Sequence, residues 1–176
     1  SSGTFRMNPR QKGTLYKGKL FPDHYSPKVD RRSIRPGTVV YDPNGHVAII
    51  YRIDANGRIF LMDAHPDNSI TRIVYGEKFA RSRPETGAGF KSWRPVKFSA
   101  DFQSVTGVQN AQLSDYDLVQ FFGTDPDPNS WKRGKFVRNG GELGYYDYVR
   151  TALAKGNLRY DPVDEFSSML QALMED

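Results

Sequence analysis

The stretch Pro36–Asn68, PGTVVYDPNGHVAIIYRIDANGRIFLMDAHPDN, decides the fold. Thr38–Tyr41 is β-branched and aromatic, and Asp42-Pro43-Asn44-Gly45 follows it as a turn. Proline presets φ there, and Asn-Gly tolerates positive φ. His46–Ile53 reads as a second strand, Asp54-Ala55-Asn56-Gly57 as a second turn, and Arg58–His65 as the returning strand. Successive side chains on a strand point to opposite faces. His46, Ala48, Ile50 and Arg52 therefore share one face, and Val47, Ile49, Tyr51 and Ile53 the other. With a loop of two or four residues, Ile59, Leu61, Asp63 and His65 join the His46 face. A three-residue loop without a bulge shifts the register by one and separates them. The even-numbered loop places an imidazole, a carboxylate and a second imidazole together. Because the strands are apolar on both faces, the hairpin is expected to be central and covered. A polar trio in such a place needs partners or a function.

The words Pro36-Gly37-Thr38-Val39-Val40 and Gly45-His46-Val47-Ala48-Ile49-Ile50 resemble the histidine-bearing half of CHAP and NlpC-type cysteine amidases. These are papain-like enzymes that cleave peptidoglycan peptides. The resemblance covers about residues 36–68. It implies that His46 is the catalytic base and that Asp63 or His65 orients its ring. Of these two, His65 is expected to be the direct partner under a four-residue loop, and Asp63 aligns with the acid of CHAP domains. The resemblance also implies a periplasmic or secreted setting, a peptide substrate, and no cofactor. The family's nucleophile is a cysteine on a helix upstream of the histidine, and this chain contains no Cys. Two function classes follow. One is a cell-wall amidase or endopeptidase whose thiol lies outside these residues. The other is a non-catalytic module that binds peptidoglycan or protein on a degenerate amidase fold. A third route, Ser1 as an N-terminal nucleophile, rests on its position alone.

Length and composition bound the rest. With 176 residues and 38% hydrophobic residues, the chain can bury one real core and is not disordered. No apolar run approaches membrane-spanning length. The absence of Cys excludes disulfides and thiolate metal sites within the chain. Residues 1–35 carry nine Lys or Arg against two Asp and read as a basic arm, suited to an anionic polymer. Residues 142–176 carry seven acids against three bases. The two ends can attract one another, which makes nucleic acid an unlikely partner. His24 falls in a Pro-flanked loop and is expected to be exposed.

Residues 36–176 are expected to form a single α+β domain, with the hairpin core in 36–98 and the helices in 113–176. Its antiparallel sheet has a papain-like or NlpC-like core of about four to six strands. Ile70–Tyr75 continues the sheet, and Phe90–Phe98 reads as an edge strand because of Pro95. Residues 100–111 and 124–138 read as loops. The run Asp125-Pro126-Asp127-Pro128-Asn129 lacks the spacing and closing Glu of a calcium loop. A helix is expected from Ser114 to about Phe122, stopped by Gly123. Tyr145, Tyr148, Val149, Ala152 and Leu153 repeat at helical spacing up to Lys155-Gly156. A last helix begins at Asp161-Pro162, with Val163, Phe166, Leu170 and Leu173 as its apolar stripe.

Overall fold

A computed structural model describes residues 23–42, 46–82, 88–124, 134–156 and 158–174. The Pro43-Asn44-Gly45 turn, the 125–129 run, Ser1 and the first 22 residues of the basic arm lie outside them. The chain folds as α+β around a six-stranded antiparallel sheet. In chain order its strands are β1 (His24–Tyr25), β2 (Val39–Tyr41), β3 (Val47–Ile53), β4 (Ile59–Ala64), β5 (Ile70–Val74) and β6 (Gly89–Trp93). Their spatial order is β1-β6-β2-β3-β4-β5, which puts β2, β3 and β4 in the interior. Two small hairpins pair β7 (Val96–Phe98) with β8 (Val105–Gly107), and β9 (Phe136–Arg138) with β10 (Gly141–Leu143). The described residues also form three α-helices, α1 (Val119–Phe122), α2 (Tyr145–Leu153) and α3 (Pro162–Met174), and a 3-10 turn at Asn110–Gln112.

The core lies between one face of the sheet and α2. Val40, Ala48, Ile50, Ile59, Leu61 and Phe90 meet Tyr145, Tyr148, Val149, Ala152 and Leu153 there. All five helical positions picked out by spacing are buried. Burying a side chain such as Leu153 contributes about 1.5–3 kcal/mol each, so this face holds the helix on the sheet.

Gln120 ties the layers together. Its Nε2 donates to Ser26 Oγ (2.6 Å) and to the Phe90 carbonyl (3.1 Å). Its Oε1 accepts from the Phe90 amide (2.9 Å) and from Ser82 Oγ (3.0 Å). A buried amide with all four of its bonding positions filled costs little to bury and fixes what it touches.

Several expectations are corrected. Residues 23–35 are part of the domain: β1 pairs with β6, and Val29 and Ile34 enter the core. Arg31 is held inside the fold, donating to the carbonyls of Asp54 (2.7 Å) and Leu153 (2.5 Å). The 90–98 strand divides at Arg94-Pro95. Proline has no amide to donate to a ladder, so the chain leaves the main sheet there and begins a separate hairpin. β6 consequently lies between β1 and β2 rather than at the edge. The segments read as loops at 100–111 and 124–138 contain β8 and β9. The 114–122 helix shrinks to Val119–Phe122, because Asp117 rather than Ser114 accepts the first helical amide, that of Val119, at 2.5 Å. Gly123 stops it at φ 82° as expected. Helix α3 forms where the pattern placed it, but its stripe faces solvent: Val163 is 74% and Phe166 64% exposed.

His24 is not in an exposed loop. It is 4% exposed on β1, with its ring 4.2 Å from that of Trp93. Burial, the largest cause, lowers its pKa from 6.5 to about 4; Lys91 and Arg94 add to this and Asp23 opposes it. The unfolded chain takes up this proton below pH 6.5, and the folded chain only near 4. The stabilisation is therefore complete above pH 6.5 and is lost as pH falls from 6.5 to about 4. Urea unfolding across that window is expected to show a shallower decline for His24→Phe than for the wild type. Parallel curves would place the titration elsewhere.

Candidate functional site

The hairpin loop has three residues, the length that separates His46 from Asp63 unless a bulge intervenes. Asp54 and Arg58 close it, through Asp54 N–H to the Arg58 carbonyl (3.1 Å), with Gly57 at φ 74°. From there the pairs run Ile53↔Ile59 and Arg52↔Phe60. Between Ile50 and Arg52 the register shifts, and the ladder continues as Ile50↔Leu61 and Ile49↔Met62. The bulge at Tyr51 therefore moves the end of β4 by one residue relative to β3. It returns Asp63 to the face of His46, as bulges do when they re-aim side chains at the end of a sheet.

His46 stands immediately before β3, with its side chain 64% exposed at the end of the sheet. Its carbonyl accepts the Asp42 amide at 2.9 Å. Its Nδ1 lies 3.2 Å from Asp63 Oδ2, and Asp63 is only 14% exposed. With a proton on Nδ1 shared with the carboxylate, Nε2 is left as the basic nitrogen. A polar contact this exposed adds little to stability, between 0 and about 1 kcal/mol, so what the carboxylate can do for the ring is fix its orientation.

His65 is held elsewhere. Its Nε2 lies 2.7 Å from Thr71 Oγ1 on β5, opposite Asp63 in the Asp63↔Thr71 pair. The expectation that His65 is the direct partner of His46 is thus corrected: the contact belongs to Asp63. All three residues and Thr71 share one face, so His65 and Thr71 flank the His46–Asp63 pair. Thr71 carries no signal in the sequence beyond its place in an alternating strand. Among the described residues no cluster of three His, Cys, Asp or Glu could hold a metal ion. No described helix is long and apolar enough to cross a membrane.

The chain matches no protein-family profile, no curated protein and no solved structure.

Proposed function

We propose that the chain is the histidine-bearing part of a papain-like cysteine amidase or endopeptidase acting on peptidoglycan peptides, in the periplasm or outside the cell. The observation that carries this reading is the His46–Asp63 contact on the face of a central antiparallel hairpin. In this account the sheet is the NlpC-like core. His46 Nε2 takes the proton of a thiol supplied from outside these residues. The thiolate attacks the peptide carbonyl, and the imidazolium returns the proton to the leaving amine. Water then attacks the thioester with His46 as base, releasing the acid and restoring the thiol. Asp63 keeps the ring in one tautomer and balances its charge, and His65 with Thr71 shapes the flank. The bases that precede residue 23, Arg6, Arg10, Lys12, Lys17 and Lys19, add an attraction to the anionic wall polymer.

The absence of Cys favours a second reading, a binding module on the same fold without chemistry. Hydrolysis of purified peptidoglycan peptides by the natural full-length product, beside the 176-residue chain, separates the two. The enzyme reading expects turnover from the former and none from the latter. Tight binding without turnover by both sustains the module and ends the enzyme.

A further inference from the structure

Helix α3 lies along β5, and its acidic first turn ties it to the domain. Asp164 Oδ2 accepts from Arg58 at 2.9 Å, and the Asp164 carbonyl accepts from the same guanidinium at 2.8 Å. Glu165 pairs with Arg150. The helix is thus held in place without the use of its apolar stripe. Val163, Phe166, Met169, Leu170, Leu173 and Met174 are all exposed, from 43% at Leu170 to 84% at Met174. At about 100° per residue these six fall within about 140° of arc, a continuous seam along the helix. Val163, Phe166, Leu170 and Leu173 follow one another at intervals of three, four and three residues. That is the a and d spacing of a coiled-coil seam, whose side chains pack into the holes of a matching helix.

We infer that this stripe is a dimer interface, covered by α3 of a second copy of the chain in antiparallel packing. The six side chains expose roughly 700 Å² per copy, so covering most of that on two copies buries about 1,200 Å², the lower bound for a specific interface. Arg58 and Arg150 have already fixed the helix, so association does not have to order it first. Its two acids are engaged within the chain, and the exposed polar residues beside the stripe, Ser167 and Gln171, carry no charge. Two identical seams therefore meet without repulsion. Antiparallel packing opposes the helix dipoles and keeps the acidic first turns about 20 Å apart. It sets Phe166 against the second copy's Leu170, once on each side of a two-fold axis. A membrane is the poorer occupant, because helices that lie on anionic lipid carry Lys and Arg on the polar face, and Pro162–Met174 contains neither.

Sedimentation equilibrium of the 176-residue chain, from about 1 µM to about 100 µM, tests this. The mass is expected to rise from 20.0 kDa toward twice that value across the range. Leu170→Glu and Phe166→Lys, both at exposed positions, are each expected to weaken association at least about hundredfold, since each puts an unpaired charge into the seam. An equimolar mixture of the two variants should recover the dimer, because antiparallel packing brings the new lysine against the new glutamate. Phe102→Asn, which removes an exposed aromatic from the β7–β8 hairpin, should change nothing. Association unaltered by Leu170→Glu, loss of association in Phe102→Asn, or a mixture that stays monomeric would overturn the assignment. So would a wild-type chain that stays monomeric throughout. The stripe would then belong to a lipid surface if phosphatidylcholine vesicles take up the chain, and to a different protein if they do not.

Discussion

His46→Ala is expected to lower the rate of peptide hydrolysis by the natural full-length product by about 10²–10⁴-fold, the range of a positioned acid–base group. The expectation rests on the ring's place at the sheet end, with Nδ1 held 3.2 Å from Asp63 and the opposite nitrogen left basic. Because the side chain is 64% exposed and outside the core, its loss should leave the melting temperature nearly unchanged. Asp63→Asn should follow in the same direction, by roughly tenfold or more, since an amide can hold the ring in the wrong tautomer. His65→Ala should cost less, because its contact is with Thr71. Wild-type turnover in His46→Ala would end the catalytic reading, and a larger loss in His65→Ala than in Asp63→Asn would reverse the assignment of the partner.

Gly89→Ala is expected to destabilise the fold by about 3–5 kcal/mol, combining left-handed backbone strain with a broken buried network. Gly89 opens β6 at φ 119°, where L side chains are strained. A Cβ there would stand inside the contact distance of Ser82 Oγ and Gln120 Oε1. Those two atoms belong to the network that ties α1 to β6, and Ser82 passes it to Tyr145 on α2 at 2.6 Å. Thermal melts should show a fall of about 10 °C or more. Gly140→Ala is the control: its φ is also positive, at 78°, but no atom lies within 4 Å of the added Cβ. It should show the strain alone, about 1 kcal/mol. Equal shifts in the two variants would mean that the network contributes nothing.

The hairpin was legible because alternation is a strong local signal, and its interior place in the sheet agrees with that reading. The expected cover on both faces is corrected: Val47 is 38% and Ile49 45% exposed on the face opposite the buried Ala48 and Ile50. The face shared by His46 and Asp63 was legible for a partly mistaken reason. The sequence suggests an even-numbered loop, whereas the chain uses three residues and restores the register at Tyr51. Nothing local marks Tyr51 as a bulge; its ring lies 6.2 Å from that of Phe60 and gives it the look of an ordinary strand residue. The same limit explains His65, whose partner Thr71 comes from the next strand. Proline at 95 was read as the mark of one edge strand over Phe90–Phe98, whereas the chain ends an interior strand there and starts a second hairpin, which depends on partners distant in sequence. For α3, helical spacing fixed the helix and its stripe, while what covers an apolar stripe depends on tertiary partners. Here Arg58 and Arg150 hold the helix by its acidic first turn and leave the stripe outside.

The central claim is that His46 serves a thiol, and the rate of alkylation by iodoacetamide tests it without any substrate. In the natural full-length product one cysteine should react rapidly near neutral pH, because a neighbouring imidazole holds it as thiolate. His46→Ala should slow that reaction at least about tenfold while leaving other thiols unaffected. A full-length product with no cysteine to alkylate, or one whose alkylation is unchanged by His46→Ala, would contradict it.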